Sequence, residues 1–499
     1  MDLNANRRGR SSELARLVLL GVAVILFGSA RNQQPSDPGK KIGRARPSLS
    51  GQLMKLSADG THLINSSTNK PVFMTGDAPQ TLIVQVDNAD VVTYLADRAS
   101  RGFNVLWVLP VDAVDQSNAP QNFYGNVPFD GADFTNEDAT YWAHVDYVVQ
   151  QAETYRITLM MNPGFVGLDS TGGYIQSYLN SSDAVITAYG QWIGNRYKGY
   201  SNIIWQIGGD SNTPNIPGLK QKMSDLATGL AAGDPNHLIT SEECPVGVCG
   251  VGYNSTLDIW DGAPWVGING DYSQYFQAQT QCAAQYALMS SYPTVPPFQT
   301  EDWYEGEHSM TELQLREEAY WEVLSGCYLG RFFGNNAIWT MGGPKDTMGQ
   351  SWQSQLGSMG SLGEQYLGEL MRSREHWLMV PDTNNTVLTG GYGSGTTISV
   401  AARTSDGQTV IAYIPNGNGT TVTIDMTKIT SKSNEARCWW FDPIGGGATD
   451  IGVLPTSGSH NFTPPDTNDW VLVIDDATAH LPPPVQSMKL SIVHGRGVA

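Results

Sequence analysis

The sequence predicts an α/β protein: a (β/α)8 TIM barrel followed by a small all-β sandwich domain. Three observations carry this. Between about residues 52 and 380, eight short strand-like runs alternate with helix-period segments, the pattern of a barrel of parallel strands. No G-x-G-x-x-G follows the first run, which weighs against an open dinucleotide-binding sheet. After Pro381 the composition shifts to short alternating runs separated by Gly, Asn, Asp and Pro turns, as in an antiparallel β-module.

The candidate barrel strands are Pro71–Thr75, Asn104–Val111, Ile157–Asn162, Ile203–Ile207, His237–Ser241, Trp265–Asn269, Pro297–Glu301 and Ala337–Met341. Apolar runs of this length, closed by Gly or acidic residues, suit strands covered on both faces. Between them, Val92, Leu95, Ala96 and Ala99 keep helical spacing, with Asn88 placed to cap the start and Gly102 to stop the end. Trp142, Val145, Val149 and Ala152 repeat the pattern, as do Leu219, Met223, Leu226 and Leu230. Thr311 is placed to cap a long helix to Cys327, with Glu312 favouring its dipole. In the β-module the runs are Thr396–Val400, Thr409–Tyr413, Thr420–Ile424, Ala436–Phe441 and Asp469–Ile474.

The expected domain plan is a signal segment over 1–30, a linker over 31–51, the barrel over 52–380, the sandwich over 381–477 and a flexible tail over 478–499. The first segment carries Arg7, Arg8, Arg10 and Arg16, then an apolar run from Leu17 to Phe27, then Gly28-Ser29-Ala30. That is the layout of a secretory signal, with an uncleaved anchor as the rival. The run is shorter than the ~20 residues a stable span requires, so the expectation is a secreted, extracellular monomer with no stable membrane partner. The net charge of −19 lacks the basic footprint of a nucleic-acid binder and does not oppose a neutral substrate. Of five cysteines, Cys244 and Cys249 could close a small loop in an oxidising compartment. Asn-x-Ser/Thr sequons stand at Asn65, Asn180, Asn254, Asn384, Asn418 and Asn461.

Two strand ends carry the chemistry. Asn202-Ile-Ile-Trp-Gln-Ile-Gly-Gly-Asp210 and Pro297-Phe-Gln-Thr-Glu301 each close on a carboxylate, and in a barrel the carboxyl ends of strands face the active-site mouth. Strands four and seven lie across the ring from each other, so their ends can flank one bond. Two carboxylates so placed are the minimal equipment for cleaving a glycosidic bond. No G-x-S-x-G elbow, P-loop or H-E-x-x-H is present, and neither a metal nor a cofactor is expected.

With these motifs in order, the chain resembles the apiosidase-like glycoside hydrolases, (β/α)8 barrels followed by a β-sandwich once labelled collagen-binding. The resemblance spans about residues 52–477. It rests on Phe73-Met-Thr-Gly-Asp77, Arg98-Ala-Ser-Arg-Gly-Phe-Asn-Val105, the Asn202–Asp210 segment, Glu301-Asp-Trp-Tyr-Glu305, Tyr320-Trp321 and Asn335-Asn-Ala-Ile-Trp339. In the small module, Ala401-Ala-Arg-Thr404, Trp440-Phe-Asp-Pro443, Phe462-Thr-Pro-Pro465 and Asp469-Trp-Val-Leu472 also fit. The resemblance implies that Asp210 is the acid/base and Glu301 the nucleophile. Two places depart from the family: Thr240-Ser-Glu-Glu-Cys-Pro245 stands where a His-Pro pair is usual, and Ala78-Pro79-Gln80 lacks a Trp after Asp77.

The expected activity is therefore a retaining glycoside hydrolase acting on polysaccharide or glycoconjugate, such as pectin side chains of plant cell walls. Alternatives are a non-catalytic carbohydrate-binding protein on the same scaffold, or a transglycosylase or lyase. Substrate contacts are expected from Asp77, Trp303, Tyr304, Glu305 and Trp339. Plainer readings exist for two of them, a turn Asp for Asp77 and a rim or supporting group for Glu305; mid-strand Trp107 and Trp205 are expected to pack in the core. His308 is expected to be a solvated loop residue.

Overall fold

The computed structural model describes residues 53–484 apart from 169–171, 246, 249–254 and 418. The expected signal segment and linker, the end of the tail, Cys249 of the expected Cys244–Cys249 bridge, Asn254 and Asn418 lie outside the described residues.

Eight parallel strands form the main sheet: β1 (Met74–Asp77), β2 (Val105–Val108), β3 (Thr158–Met161), β4 (Ile203–Ser211), β5 (Ile239–Glu243), β6 (Asn269–Tyr272), β7 (Pro297–Glu301) and β8 (Gly330–Phe333). Their order is β5-β4-β3-β2-β1-β8-β7-β6. The two ends meet through a parallel bridge between Ile239 and Val266, with Gly267 N donating to Ile239 O at 2.9 Å. Thr256 Oγ1 joins the same seam, accepting from Ser241 N and Gly270 N at 3.2 and 3.1 Å. The ring is thus closed, and β1, β2 and β3 are buried at every position because helices cover the outside while side chains fill the inside.

Each strand is followed by a helix: α1 (Asn88–Ser100), α2 (Ala139–Thr154), α3 (Asp183–Tyr197), α4 (Leu219–Gly233), α5 (Thr256–Trp260), α6 (Ala278–Leu288), α7 (Glu312–Ser325) and α8 (Met359–Arg372). Asp87, one residue before the expected cap, starts α1 by accepting from Ala89 N and Asp90 N. Thr311 caps α7 as expected, and Gln314 completes a capping box with it.

Two strands depart most from expectation. The eighth is Gly330–Phe333, whereas Ala337–Met341 begins in the helical turn Asn336–Trp339, capped by Asn335. Arg331 sits in the centre of the true strand and breaks its apolar run. Its charge is met inside the fold by Asp302, Glu322 and Glu364. β6 likewise begins where its expected strand ends, because its residues are Asn-Gly-Asp-Tyr rather than apolar.

The C-terminal region is a β-sandwich. A six-stranded antiparallel sheet is ordered Met379–Pro381, Val400–Thr404, Thr409–Ile414, Trp470–Asp476, Glu435–Phe441, Ala448–Pro455. It faces a three-stranded sheet of Leu388–Gly390, Val422–Asp425 and Ser459–Phe462. Of Thr396–Val400, expected as a strand, only Val400 lies in one; Thr396 and Thr397 belong to a 3-10 turn over Gly395–Thr397. The large sheet packs on α7, where the Tyr320 and Tyr413 rings stack at 4.6 Å. Bidentate pairs Arg316–Asp469 and Arg374–Asp475 flank that contact.

Cys282 on α6 is disulfide-bonded to Cys327 just after α7, closing a separation of 45 residues. The sequence reading did not single out this pair. Mutating both cysteines to Ser is expected to cost about 2–4 kcal/mol of unfolding free energy in denaturant titrations.

Candidate active site

Both predicted carboxylates stand on irregularities in their strands. In β7 the register with β6 slips between Gln299 and Glu301. Gln299 reaches outward to Cys282 on α6, so strict alternation would also turn Glu301 outward. The bulge reverses this. Glu301 turns to the mouth, and Asp302 takes the outward position beside Arg331. In β4 the register with β5 slips between Gly208 and Ser211. Gly208, Gly209 and Asp210 all have positive φ, at 85°, 94° and 49°. A Cβ at Gly208 would lie 2.3 Å from Glu242 O, and one at Gly209 2.3 Å from the Phe165 ring. The Gly-Gly pair is therefore required for the backbone to lift Asp210 into the mouth, and Asp210 itself is held in a left-handed conformation costly for a non-glycine residue.

A third carboxylate meets them. Glu242, at the end of β5, is 1% exposed. Its Oε2 accepts from Gln206 Nε2 at 2.6 Å and its Oε1 from Asp210 N at 3.3 Å. It is also hydrogen-bonded to Glu301. Tyr272 on β6 donates to Asp210, and Tyr304 donates to Glu301 while accepting from Gln80 Nε2 at 3.1 Å.

Crowding these acids in a desolvated mouth disfavours their ionised forms. Burial, with the nearby charges of Asp115 and Glu307, pushes Asp210 up to about 6 against the Tyr272 hydrogen bond and the Lys345 ammonium. Burial and the Asp210 charge push Glu242 up to about 8. Burial, then Glu242, Asp210 and Glu307, push Glu301 well above the usual carboxylate range. Protons are therefore shared across the group, and its titration belongs to the cluster rather than to single residues.

The other expected contact residues divide. Tyr304 lies at the site beside Glu301. Trp303 is half-buried beyond it, stacked on His308 at 4.5 Å and touching Tyr275 and Phe276. His308 is an exposed turn residue, as expected, with one face of its ring resting on the indole. Trp339 is half-buried and donates from Nε1 to Glu307 at 2.8 Å. Glu305 is held away: Asn335 Nδ2 and Ser358 Oγ donate to its Oε2 at 2.8 and 2.5 Å, and Gly360 N at the start of α8 donates to Oε1 at 3.2 Å. That geometry makes it an anchor for α8.

Asp77 also does not face the mouth. It is fully buried, with Arg98 Nη1 and Tyr94 OH donating to Oδ2 at 3.0 and 2.5 Å and Ala78 N to Oδ1 at 2.9 Å. Both oxygens are occupied by α1 and the turn after β1, so its placement is that of a structural ion pair. Trp107 and Trp205 are core residues, 1% and 0% exposed.

Glu242, Tyr272, Glu307 and Gln206 were not singled out from the sequence. For Glu242 the signal was present: it ends a strand, by the same logic that found Asp210 and Glu301. Among the described residues, the grouping with metal-ligand spacing is Asp271, Cys282 and Cys327, and both of its sulfurs are committed to the disulfide.

The comparisons agree with this layout. Residues 57–378 match the family model "Apiosidase-like, catalytic domain", and residues 380–475 match "Putative collagen-binding domain of a collagenase". Among solved structures, one described as a glycoside hydrolase superposes with a TM-score of 0.73 at 23% identity, covering 86% of this chain and 98% of its own. A family 5 glycoside hydrolase from Bacteroides vulgatus superposes at 0.72 with 22% identity, covering 87% and 94%. No curated protein matches. At these identities the superpositions show a shared fold. The family match covers well over half of the chain, and the chain belongs to the apiosidase-like catalytic family, a glycosidase barrel carrying its C-terminal β-sandwich.

Proposed function

We propose that the protein is a secreted retaining glycosidase in which Glu301 attacks the anomeric carbon and Asp210 protonates the leaving oxygen. The carrying observation is that the ends of β4 and β7 bring Asp210 and Glu301 into one mouth, close enough for the charge of one to raise the other. In the first step the Glu301 carboxylate forms a glycosyl ester as the glycosidic bond breaks, and the Asp210 proton moves to the leaving oxygen. In the second, Asp210 takes a proton from water, which attacks the ester and frees Glu301. Tyr304 holds Glu301 by a hydrogen bond, while half-buried Trp303 and Trp339 offer apolar surface at the rim to a sugar face. Polysaccharide or glycoconjugate of the plant cell wall, including pectin side chains, is the proposed substrate class. The support is the family match.

A screen of pectic, arabinan and glycan panels with sugar analysis tests this reading. Release of no sugar from any panel would count against hydrolysis. Binding without turnover would favour a carbohydrate-binding protein. The acid must be protonated and the nucleophile ionised, so kcat/KM is expected to fall on the acid side as Glu301 takes up a proton and on the alkaline side as pH rises through about 6, where Asp210 loses its own. A rate constant to pH 9 would exclude Asp210 as the acid.

A further inference from the structure

We propose that Glu242 is a positioning residue for this reaction: as a neutral carboxylic acid it donates its proton to Glu301 and so holds the nucleophile ionised and aimed at the mouth. The inference rests on the glycosidase reading above and adds a third working carboxyl to it.

The geometry supports this assignment. Glu242 is the most enclosed of the three acids, 1% exposed against half-buried Asp210 and Glu301. Ionising the most enclosed group is the costliest choice. Its two oxygens have different partners. Oε2 takes the short 2.6 Å hydrogen bond from Gln206 Nε2, as a carbonyl oxygen would. Oε1 has only a long 3.3 Å contact from Asp210 N, so it is the oxygen with room to carry a proton. The titratable groups facing Glu242 are Asp210 from β4, Glu301 from β7, Tyr272 from β6 and Tyr304 after β7. None of these four is cationic, so none of them offsets a second anion beside Glu301.

The proton balance is simple. Glu242 and Glu301 share one proton. As positive charge develops at the anomeric carbon, Glu301 is favoured as the anion and the proton rests on Glu242. Nothing leaves the pair, and ester hydrolysis restores the same state. The neighbouring Glu243 has a separate role, with Oε1 accepting from Trp260 Nε1 at 2.7 Å.

The test compares Glu242→Gln with Glu242→Leu. The amide keeps a neutral donor, so E242Q is expected to retain kcat within about tenfold, with the acid limb of its pH profile unmoved. E242L lacks the donor and is expected to lose roughly 100-fold or more in kcat with little change in KM. Acid shifts of both limbs in E242Q by a full pH unit would show that Glu242 works as an anion and overturn the proposal. So would full activity in E242L. Infrared difference spectra at pH 7 need no substrate: E242Q should remove one protonated-carboxyl band, and an unchanged spectrum sinks the idea. Failure of the glycosidase reading itself would show separately, as full activity in Asp210 and Glu301 variants.

Discussion

Replacing Glu301 with Gln is expected to lower kcat by roughly 10^4-fold or more, because the amide cannot attack the anomeric carbon while its shape is retained. The fold should survive. The side chain is half-buried at the mouth, and Glu→Gln relieves the repulsion from Asp210 and Glu242 that raises its pKa. The Asp210→Asn variant should lose roughly 10^2–10^4-fold on natural glycosides, and less on aryl glycosides whose leaving groups need no proton. Azide should rescue Glu301→Ala with inversion, since the anion then occupies the nucleophile's side of the sugar. It should rescue Asp210→Ala with retention, by intercepting the ester. Steady-state kinetics with product stereochemistry separates the roles. Full activity in either amide variant would remove that residue from the mechanism, and rescue products of the opposite stereochemistry would exchange the two roles.

The Arg331→Met variant is expected to lose about 3–5 kcal/mol of stability, the largest structural effect foreseen for a single substitution here. Arg331 is 2% exposed and is the cation for four buried acids: Asp302 after β7, Glu318 and Glu322 on α7, and Glu364 on α8. Its Nε lies 2.6 Å from Glu322 and its Nη1 2.7 Å from Glu364. Even with it present, burial pushes Glu364 up to about 7 and Glu318 and Glu322 well above their ordinary range. A carboxyl whose folded pKa is raised binds more protons folded than unfolded. Stability from this cluster is therefore full below about pH 4.5 and is lost as pH climbs through about 7. Removing the guanidinium steepens that loss, so denaturant titrations should place the variant nearest to wild type at acidic pH and furthest at alkaline pH. A pH-independent difference would rule out this electrostatic account. Activity should fall as well, since Asp302 adjoins Glu301 and its bond to Arg331 holds the bulge that aims the nucleophile.

Much of the molecule was legible in the chain. β7 lies at Pro297–Glu301 as read, and Thr311 caps α7. Both follow from local rules: a strand covered on two faces must be apolar, and orphan backbone N–H groups at a helix start need an acceptor. Where polar residues serve a distant partner, the local rule misleads. Arg331 made β8 look unlike a strand, although its counter-ions lie on α7, α8 and the end of β7. Asp77 looked like a mouth residue because it ends β1, yet Arg98 and Tyr94 draw it outward toward α1. Glu305 stood close to the nucleophile in sequence, but α8 claims it.

The sequence by itself determined the eight-strand alternation, the following β-module and the two strands that end in Asp210 and Glu301, since each is written in periodicity and local turn chemistry. Only the tertiary structure decided which way those carboxylates point and what surrounds them. Side-chain direction along a strand has a period of two residues, so one slip of register reverses it. Bulges in β4 and β7 supply that slip, and they are set by neighbouring strands. Glu242, brought in from β5 by closure of the ring, raises Glu301 and is itself raised by Asp210, through a proximity that no spacing within β4 or β7 encodes.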